Sequence, residues 1–215
     1  MKRLAVALGL GAALYGGLLR PWLVRFGSTA EERARGLPGD GVVQGDVQQI
    51  TRAITIAAPP AAVWPWLVQM GQDRGGFYSH DRLERLFGAR IRNAEEIVPE
   101  WQSLHVGDFV RTYPDAFGKR DLGWRVALLE RERVLVLRSE TSGWSWTLVL
   151  EPNAGETETR LLSRERKVRK RGGGLLFDLF VFDPAHFVMD TGVLHGVRDR
   201  AERSRPVDGV VGEAP

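Results

Sequence analysis

The stretch MGQDRGGFYSHD brings several groups that can carry protons close together in the chain. Asp73, Tyr78, His80 and Asp81 flank a pair of glycines, and carboxyl, phenol and imidazole groups are common general acids and bases. A structural interpretation competes with catalysis, because Ser79 is a good N-cap, Asp81 suits the positive first turn of a helix, and the glycines suit a turn. We therefore interpret the stretch first as a turn between two helices, with Tyr78 and Asp73 as the remaining candidates for proton transfer.

The remaining chemistry-bearing residue types exclude several classes of site. The four histidines lie at positions 80, 105, 186 and 195, so no pair has the spacing of three or four that places two metal ligands on one helix face. The chain has no cysteine, which removes thiol nucleophiles, disulfides and thiolate metal sites. It also lacks the GxSxG and SxxK patterns of activated serines, which disfavours a hydrolase. We expect neither a metal nor a cofactor.

His186 and the tryptophans are the other residues to place. His186 follows Pro184 at the predicted start of the last helix, where it either faces a cavity mouth or is a partly exposed histidine bonded to a carbonyl. Trp144 and Trp146 share one face of a predicted strand, and Trp124 lies on another strand. Aromatic residues in this pattern usually build a core, and on a concave sheet they also line a cavity.

The segment RERKVRKR, residues 164–171, is densely basic and precedes a glycine triplet and the apolar LLFDLFVF. No aromatic stacking platform is interleaved with it, so we expect no nucleic-acid partner. It is either the solvated end of a strand or a basic loop that rests on anionic lipid beside an apolar segment. The net charge of +3 in 215 residues adds no preference, because arginines alternate with nearly as many acids.

The amino terminus predicts a membrane anchor. Residues 4–19 carry no charge, and the apolar character continues beyond Arg20 to Val24, which is just long enough to cross a bilayer. A cleaved signal peptide is the alternative, but no convincing cleavage site follows. We assign 1–26 to a single-pass anchor and the turn-rich 27–47 to a linker. Flanking charges barely decide the orientation, and the basic segment favours a cytoplasmic position for the soluble domain.

The body of the chain predicts an α+β fold with one domain over 48–204 and a disordered tail over 205–215. Two short helices follow the first strand, one beginning at Pro59-Pro60 and one over 80–87, and a long amphipathic helix runs from Pro184 to about Arg203. The predicted strands are 51–57, 108–113, 122–130, 133–140, 143–151 and 157–168.

Several segments together resemble the START-like, polyketide-cyclase/dehydrase-like superfamily known as SRPBCC, in a bacterial branch with an N-terminal hydrophobic segment. They are TRAITIAAPPAAVWPWLVQMGQDRGGFYSHDRLERLFG, NAEEIVPEWQSLHVGD, SGWSWTLVLEP, TETRLLSRER and DPAHFVMDTGVLHGVRDRAE. The resemblance covers about 48–203 and implies a helix-grip fold, in which a curved antiparallel sheet wraps a long C-terminal helix and leaves an apolar cavity. It implies no particular reaction.

We therefore expect a membrane-tethered, non-enzymatic module that holds a hydrophobic small molecule or lipid in that cavity. The alternative is a cyclase- or dehydratase-like enzyme acting on an aromatic or polyketide-type substrate, with Tyr78, His186 or Asp73 moving protons. A protein whose cavity is filled by side chains is a third class. The candidate ligand-binding residues are Tyr78, Trp124, Trp146, Arg164, His186, Phe187 and Met189.

Overall fold

The computed structural model of the chain describes residues 9–79, 92–112 and 122–204. Its strands are β1 (Val47–Ile56), β2 (Phe109–Arg111), β3 (Gly123–Glu130), β4 (Val134–Ser139), β5 (Trp144–Pro152) and β6 (Thr159–Val168). Its helices are α1 (Arg20–Arg25), α2 (Ala30–Ala34), α3 (Pro60–Val68), α4 (Gly173–Phe177) and α5 (Asp183–Arg203). Two π-helical segments, Tyr15–Leu19 and Asp178–Phe182, lead into α1 and α5.

The described strands form one antiparallel sheet in the order β1-β6-β5-β4-β3-β2. The first strand pairs with the last, so β1 is an edge strand and β6 lies between β1 and β5. A bulge between Val126 and Leu128 breaks the β3–β4 register, and such bulges bend a strand and increase its twist. The α+β architecture, with a curved six-stranded sheet and a long C-terminal helix, confirms that part of the predicted fold.

The two faces of the sheet have different covers. The concave face packs against α3 and α5 in a large core that includes Ile54, Leu148 and Leu194. The opposite face forms a smaller core, in which Leu37 from the chain before β1 meets Val136. Successive side chains of a strand point to opposite faces, so residue parity decides which core each strand residue joins.

The turn after α3 has the structure that its glycines predict. Gly71 and Gly76 form an isolated antiparallel bridge, with both backbone hydrogen bonds at 2.9 Å. Gly71 has a φ of +137°, which side chains disfavour. A Cβ on Gly75 would lie 2.7 Å from the Tyr78 hydroxyl oxygen. The predicted second short helix, over 80–87, lies outside the described residues, as does the predicted disordered tail.

The described N-terminal residues do not support the predicted single-pass anchor, because no helix in the described ranges is long and apolar enough to cross a membrane. The last turns of this segment pack on the domain instead. Leu23 is buried, and the rings of Trp22 and Phe26 lie 5.0 and 5.6 Å from that of Phe187 on α5. The C-terminal end of α1 is therefore part of the domain's packing.

The predicted linker also packs on the sheet. Thr29 and Glu32 form a capping box at α2, a reciprocal arrangement that satisfies two otherwise free backbone N–H groups. Glu32 pairs with Arg160 of β6 at 2.7 Å. Residues 27–43 thus cover the outer face of the sheet and are not a free tether.

Candidate functional site

Charged residues occupy the concave face of β6 where a purely apolar core would place leucines. Leu161, Ser163, Glu165 and Lys167 alternate along this face, and all four are buried. Arg52 of β1 is the register partner of Ser163 and points to the same side. Its side chain is 0% exposed, so its charge must be compensated inside the protein.

The C-terminal helix presents the complementary residues. Asp183, His186 and Asp190 recur at intervals of three and four, which places them on one side of α5. This side faces β6 and β1. The site thus lies between β1, β6 and the N-terminal end of α5.

Arg52 joins the three elements. Its Nη1 lies 2.8 Å from Asp190 Oδ2 and 3.5 Å from Glu165 Oε1, and its Nε donates to the backbone oxygen of Leu23 at 2.9 Å. These contacts use Nε and Nη1 of the guanidinium, whereas Nη2 has no hydrogen-bond partner among the described residues. Arg52 therefore ties α5 and the end of α1 to the sheet.

Arg52, Glu165, His186 and Asp190 form the charged cluster. A hydrogen-bonded relay extends this cluster into the apolar core. Trp146 Nε1 donates to Ser163 Oγ at 2.8 Å, and Ser163 Oγ donates to Asp190 Oδ1 at 2.9 Å. The relay satisfies the indole N–H of a buried tryptophan, as buried indoles generally require. It also fixes the second oxygen of Asp190, so that both carboxylate oxygens are held.

Glu165 and His186 form the pair with the most strongly altered protonation. His186 Nδ1 lies 3.2 Å from Glu165 Oε1. Burial, reinforced by the negative charge of Asp190, raises the pKa of Glu165 to about 8. Burial lowers the pKa of His186 to about 4, with Arg52 contributing in the same direction. At neutral pH a protonated carboxyl group therefore donates to a neutral imidazole.

A second group of charges lies next to this pair. Lys167 Nζ lies 3.2 Å from Asp178 Oδ2 and 3.6 Å from Asp183 Oδ1. Asp183 also pairs with Arg20 at 2.9 Å and accepts from the side-chain amide of Gln48 at 3.2 Å. Asp178 precedes α5 in the π-helical segment, so Lys167 ties that segment to the sheet.

Aromatic rings cover the Glu165–His186 pair. The Phe182 ring stacks on the His186 ring at 5.2 Å, and Trp144 lies 5.5 Å from Phe182 and 5.4 Å from His186. Trp124 lies 4.8 Å from Trp144 and 6.1 Å from Trp146, which continues the group into the core. We call Trp124, Trp144, Trp146 and Phe182 the aromatic cluster.

Three buried polar atoms beside the Glu165–His186 pair have no hydrogen-bond partner at close range among the described residues, although the Trp144 indole is near enough to Glu165 to act in the direction that lowers its pKa. They are Trp144 Nε1, Glu165 Oε2 and Arg52 Nη2, all of them buried. Buried polar groups are almost always hydrogen-bonded, and each exception costs free energy. Two hydrogen-bond donors, Trp144 Nε1 and Arg52 Nη2, and one acceptor, Glu165 Oε2, are therefore available to a ligand.

The predicted site residues are distributed over several places. Trp124, Trp146 and His186 come together in and beside the aromatic cluster. Phe187, the next residue on α5, contacts α1 through Trp22 and lies 5.6 Å from the Arg52 guanidinium. Met189 Sδ accepts from Ser79 Oγ at 3.7 Å.

Tyr78 lies at a different part of α5. It is buried against Gly196, where an added Cβ would come within 2.1 Å of the Tyr78 backbone oxygen, and its ring lies 4.8 Å from the Arg200 guanidinium. Burial raises the pKa of its hydroxyl, which Gln69 and Arg200 offset only in part. Gly196 follows His186 by ten residues, or about 15 Å along a helix, so Tyr78 and His186 do not form one catalytic pair.

Arg164 lies on the face of the sheet opposite the aromatic cluster. Its parity places it with the outer core, where its Nε donates to Thr51 Oγ1 at 3.1 Å and its Nη1 pairs with Asp40 at 2.9 Å. It holds the segment before β1 and cannot meet a ligand between the sheet and α5. Asp73 is exposed and pairs with Arg111 at 2.9 Å, away from the charged cluster.

The predicted sites did not include Arg52, Glu165, Asp183 or Asp190. Their signal was present in two patterns: four consecutive charged residues at 164–167 of β6, which put charge on both faces of the strand, and the acid-histidine-acid spacing of three and four at the start of α5. Residues 164–168 of the basic segment belong to β6, which buries Arg164 and Lys167, and residues 169–171 follow the strand and are exposed. In the described ranges, no group of histidines and acids is arranged to hold a metal ion.

Comparisons with known proteins give only distant structural similarities. No family model and no curated protein matches the chain. The Aha1 dimer from Colwellia psychrerythraea is 13% identical, with 74% of this chain and 99% of that chain covered and a TM-score of 0.42. A polyketide cyclase-like protein from Corynebacterium glutamicum is 16% identical, with 74% and 93% covered and a TM-score of 0.36.

A conserved protein of unknown function from Enterococcus faecalis is 15% identical, with 76% of this chain and 77% of that chain covered and a TM-score of 0.43. All three have identities of 16% or less and TM-scores of 0.43 or less, so they carry no argument about the fold of this chain. At such identities and scores they say nothing about ligand or reaction.

Proposed function

We propose that this protein binds a hydrophobic small molecule or lipid against the aromatic cluster, between the sheet and the beginning of α5. The observation that supports this most directly is the coincidence of large rings with unpartnered buried polar atoms at Trp144 and Glu165. Apolar contact supplies about 25 cal/mol per Å² of buried surface, and a few polar groups orient the ligand. A ligand hydroxyl group would accept from Trp144 Nε1 and donate to Glu165 Oε2, whereas a ligand carbonyl group would accept from Trp144 Nε1 alone.

Ligand entry requires the segment 173–182 to move. Phe182 belongs to this segment and covers His186 and Trp144. Asp178 holds the segment closed through Lys167 at 3.2 Å and Lys170 at 3.1 Å, and the chain turns into it at Gly172, whose φ is +57°. Gly172 gives the chain a hinge, and the two lysine contacts hold the segment in place until they break. Segment 173–182 would therefore act as the gate of the site.

A fluorescence titration with a fluorescent fatty-acid analogue tests the proposal. Trp144→Ala should weaken binding about ten- to hundredfold, the effect of losing about 1.5–3 kcal/mol of buried aromatic contact. Trp101→Ala removes a half-buried tryptophan outside the aromatic cluster and is the matched control. Equal affinities of the two variants would contradict the proposed location.

The Glu165–His186 pair favours an enzyme as the second candidate, of the cyclase- or dehydratase-like type acting on an aromatic or polyketide-type substrate. Environments that push the pKa values of two adjacent groups apart are typical of acid–base catalysts. Glu165 would donate a proton and His186 would accept one. An activity found in a substrate screen should need Glu165 protonated and His186 neutral, so it should be high between about pH 4 and about pH 8.

Two variants distinguish the enzyme from the carrier. Glu165→Gln keeps the shape of the neutral carboxyl group but cannot donate its proton, so it should abolish activity and leave ligand affinity within about threefold. Trp101→Ala should change neither. Activity that persists in Glu165→Gln would remove the catalytic role and leave binding as the function.

We also propose that the protein works at a membrane surface, from which a hydrophobic ligand is collected. Support comes from the apolar side chains that the N-terminal segment and segment 173–182 expose side by side. Tyr15 joins the two, stacking on Phe180 at 5.1 Å. The exposed residues are Leu10, Leu14, Leu18, Leu19, Trp22, Leu176, Phe177, Phe180 and Val181. A surface of this kind suits an interfacial contact, and basic residues beside it favour the anionic cytoplasmic leaflet.

A further inference from the structure

A cavity of about 220 Å³ lies at the free edge of β1, away from the aromatic cluster. It is partly open to solvent and lies between α1, α2, β1 and Arg169, the residue that follows β6. Its polar lining comes mainly from Arg20, Arg25, Arg33, Arg169, Gln48 and Gln49, and none of its lining residues is acidic. A water molecule takes up about 30 Å³ in the liquid, so the cavity has room for a group several times that size.

The four arginines are not neutralised equally. Arg20 pairs with the buried Asp183 at 2.9 Å, and Arg169 pairs with Asp46 at 2.9 Å. Arg33 spends one donor on Ser28 at the turn before α2. The guanidinium of Arg25 has no partner among the described residues. Positive charge therefore exceeds negative charge at this cavity, and one arginine remains free to bind.

The chemistry of the lining matches an oxyanion. Guanidinium groups bind phosphate and carboxylate oxygens through two parallel donors, and the planar fork fixes the geometry. The side-chain amides of Gln48 and Gln49 also line the cavity, but they donate to Asp183 and to the Arg33 backbone oxygen, so the arginines supply the anion-binding groups. Three separate elements hold the arginines, so the cluster is part of the fold and not a run of surface charges along one helix.

The location of the cavity indicates where such an anion comes from. Arg20 and Arg25 lie on α1, whose Trp22 is exposed and whose preceding turn exposes Leu18 and Leu19. We propose that this cavity binds the phosphate group of an anionic phospholipid while the adjacent apolar side chains contact the bilayer. This inference rests on the proposed membrane contact and adds to it a headgroup site.

Arg25→Gln is the informative variant, because it removes a charge from the cavity without breaking an internal contact. Arg131→Gln is the matched control, since Arg131 is 85% exposed in the β3–β4 turn and pairs only with Glu132. Full-length protein is titrated with phosphatidylcholine vesicles, with vesicles that also contain phosphatidylglycerol, and with inorganic phosphate.

We expect tighter binding to the phosphatidylglycerol vesicles, weakened roughly fivefold by Arg25→Gln, as for one arginine lost near an anionic surface. Arg131→Gln should bind like wild type. Inorganic phosphate should compete poorly, because it brings no acyl chains.

Other results separate the two levels of the proposal. Binding to both vesicle types with no difference between Arg25→Gln and Arg131→Gln overturns the headgroup site and leaves the membrane contact standing. Tight binding of inorganic phosphate that depends on Arg25, without vesicle binding, overturns the lipid source and shows a site for soluble phosphates. No binding to any of the three probes overturns both.

Discussion

At the residue scale, the central feature is a set of charges buried where the resemblance implied an apolar cavity. Arg52 and Asp190 compensate each other's charge across a strand and a helix, and the neutral pair Glu165 and His186 lies beside them. Buried ion pairs often add little net stability, but removal of one partner leaves a charge uncompensated and is costly. The cluster therefore specifies how α5 docks, whatever its role toward a ligand.

Arg52→Met should be strongly destabilising. It leaves Asp190 buried without its cation and the Leu23 carbonyl without its donor, so the free energy of unfolding should fall by about 3–5 kcal/mol. Urea denaturation measures it. Arg131→Gln, which removes an exposed pair, should stay within about 0.5 kcal/mol of wild type. A small effect of Arg52→Met would mean that the cluster is open to water.

Glu165 should make stability depend on pH in a narrow window. The pKa of Glu165 is about 8 in the folded protein and 4.5 ordinarily. Between these pH values the folded protein binds a proton that the unfolded chain has lost, so the free energy of unfolding falls as pH rises. His186, at about 4 against 6.5, has the opposite effect between those values. The two effects largely cancel between about pH 4.5 and pH 6.5, and Glu165 acts alone from about pH 6.5 to pH 8.

Urea denaturation at pH 6.5 and pH 8 tests this pattern. Wild type should lose up to about 1.4 kcal/mol per pH unit across the window, the value for one proton. Glu165→Gln should remove that slope, since glutamine does not titrate. A slope that survives the substitution would assign it to another group.

At the element scale, alternation along β6 determines which charged side chains face α5 and which face the segment before β1. Arg164 and Arg166 face the segment before β1 through Asp40, whereas Glu165 and Lys167 face α5. Periodicity predicted this strand, but it did not reveal that the outer face was covered. Arg164 meets Asp40, which lies 124 positions away in the sequence. Local pattern along β6 therefore predicts a solvent-exposed arginine where the folded chain buries one.

Segment 173–182 is the element whose motion the proposed function requires. Asp178→Ala should release it from Lys167 and Lys170, so its backbone amides should exchange hydrogen with solvent faster while the amides of β6 keep their protection. Hydrogen exchange with mass spectrometry measures both regions. Asp199→Ala, which removes an exposed pair with Arg198, is the control. Unchanged exchange in Asp178→Ala would mean that other contacts hold the gate.

At the scale of the whole molecule, the sequence predicts the architecture better than the site. The strand alternation and the length of α5 follow from local pattern, and both are present. The resemblance to SRPBCC proteins adds the curved sheet, because strand order depends on pairing between distant segments such as β1 and β6. The site is less predictable, since Arg52 meets Asp190 only when β1 and α5 dock.

The N-terminal segment shows the same limit. Its apolar composition predicts an anchor, yet Trp22, Leu23 and Phe26 pack on α5 and β1. Apolar composition predicts that these residues are buried away from water, but it does not distinguish burial in lipid from burial in protein. The remaining apolar side chains stay exposed beside the arginine-lined cavity, which supports the proposed contact with a membrane surface.

Native mass spectrometry of full-length protein purified from its own host tests the proposed ligand binding most directly. We expect wild type to carry an added mass that corresponds to a hydrophobic molecule and is released on denaturation. Trp144→Ala should carry much less, and Trp101→Ala should match wild type. A wild-type protein that is ligand-free and takes up no fatty-acid analogue would contradict the account.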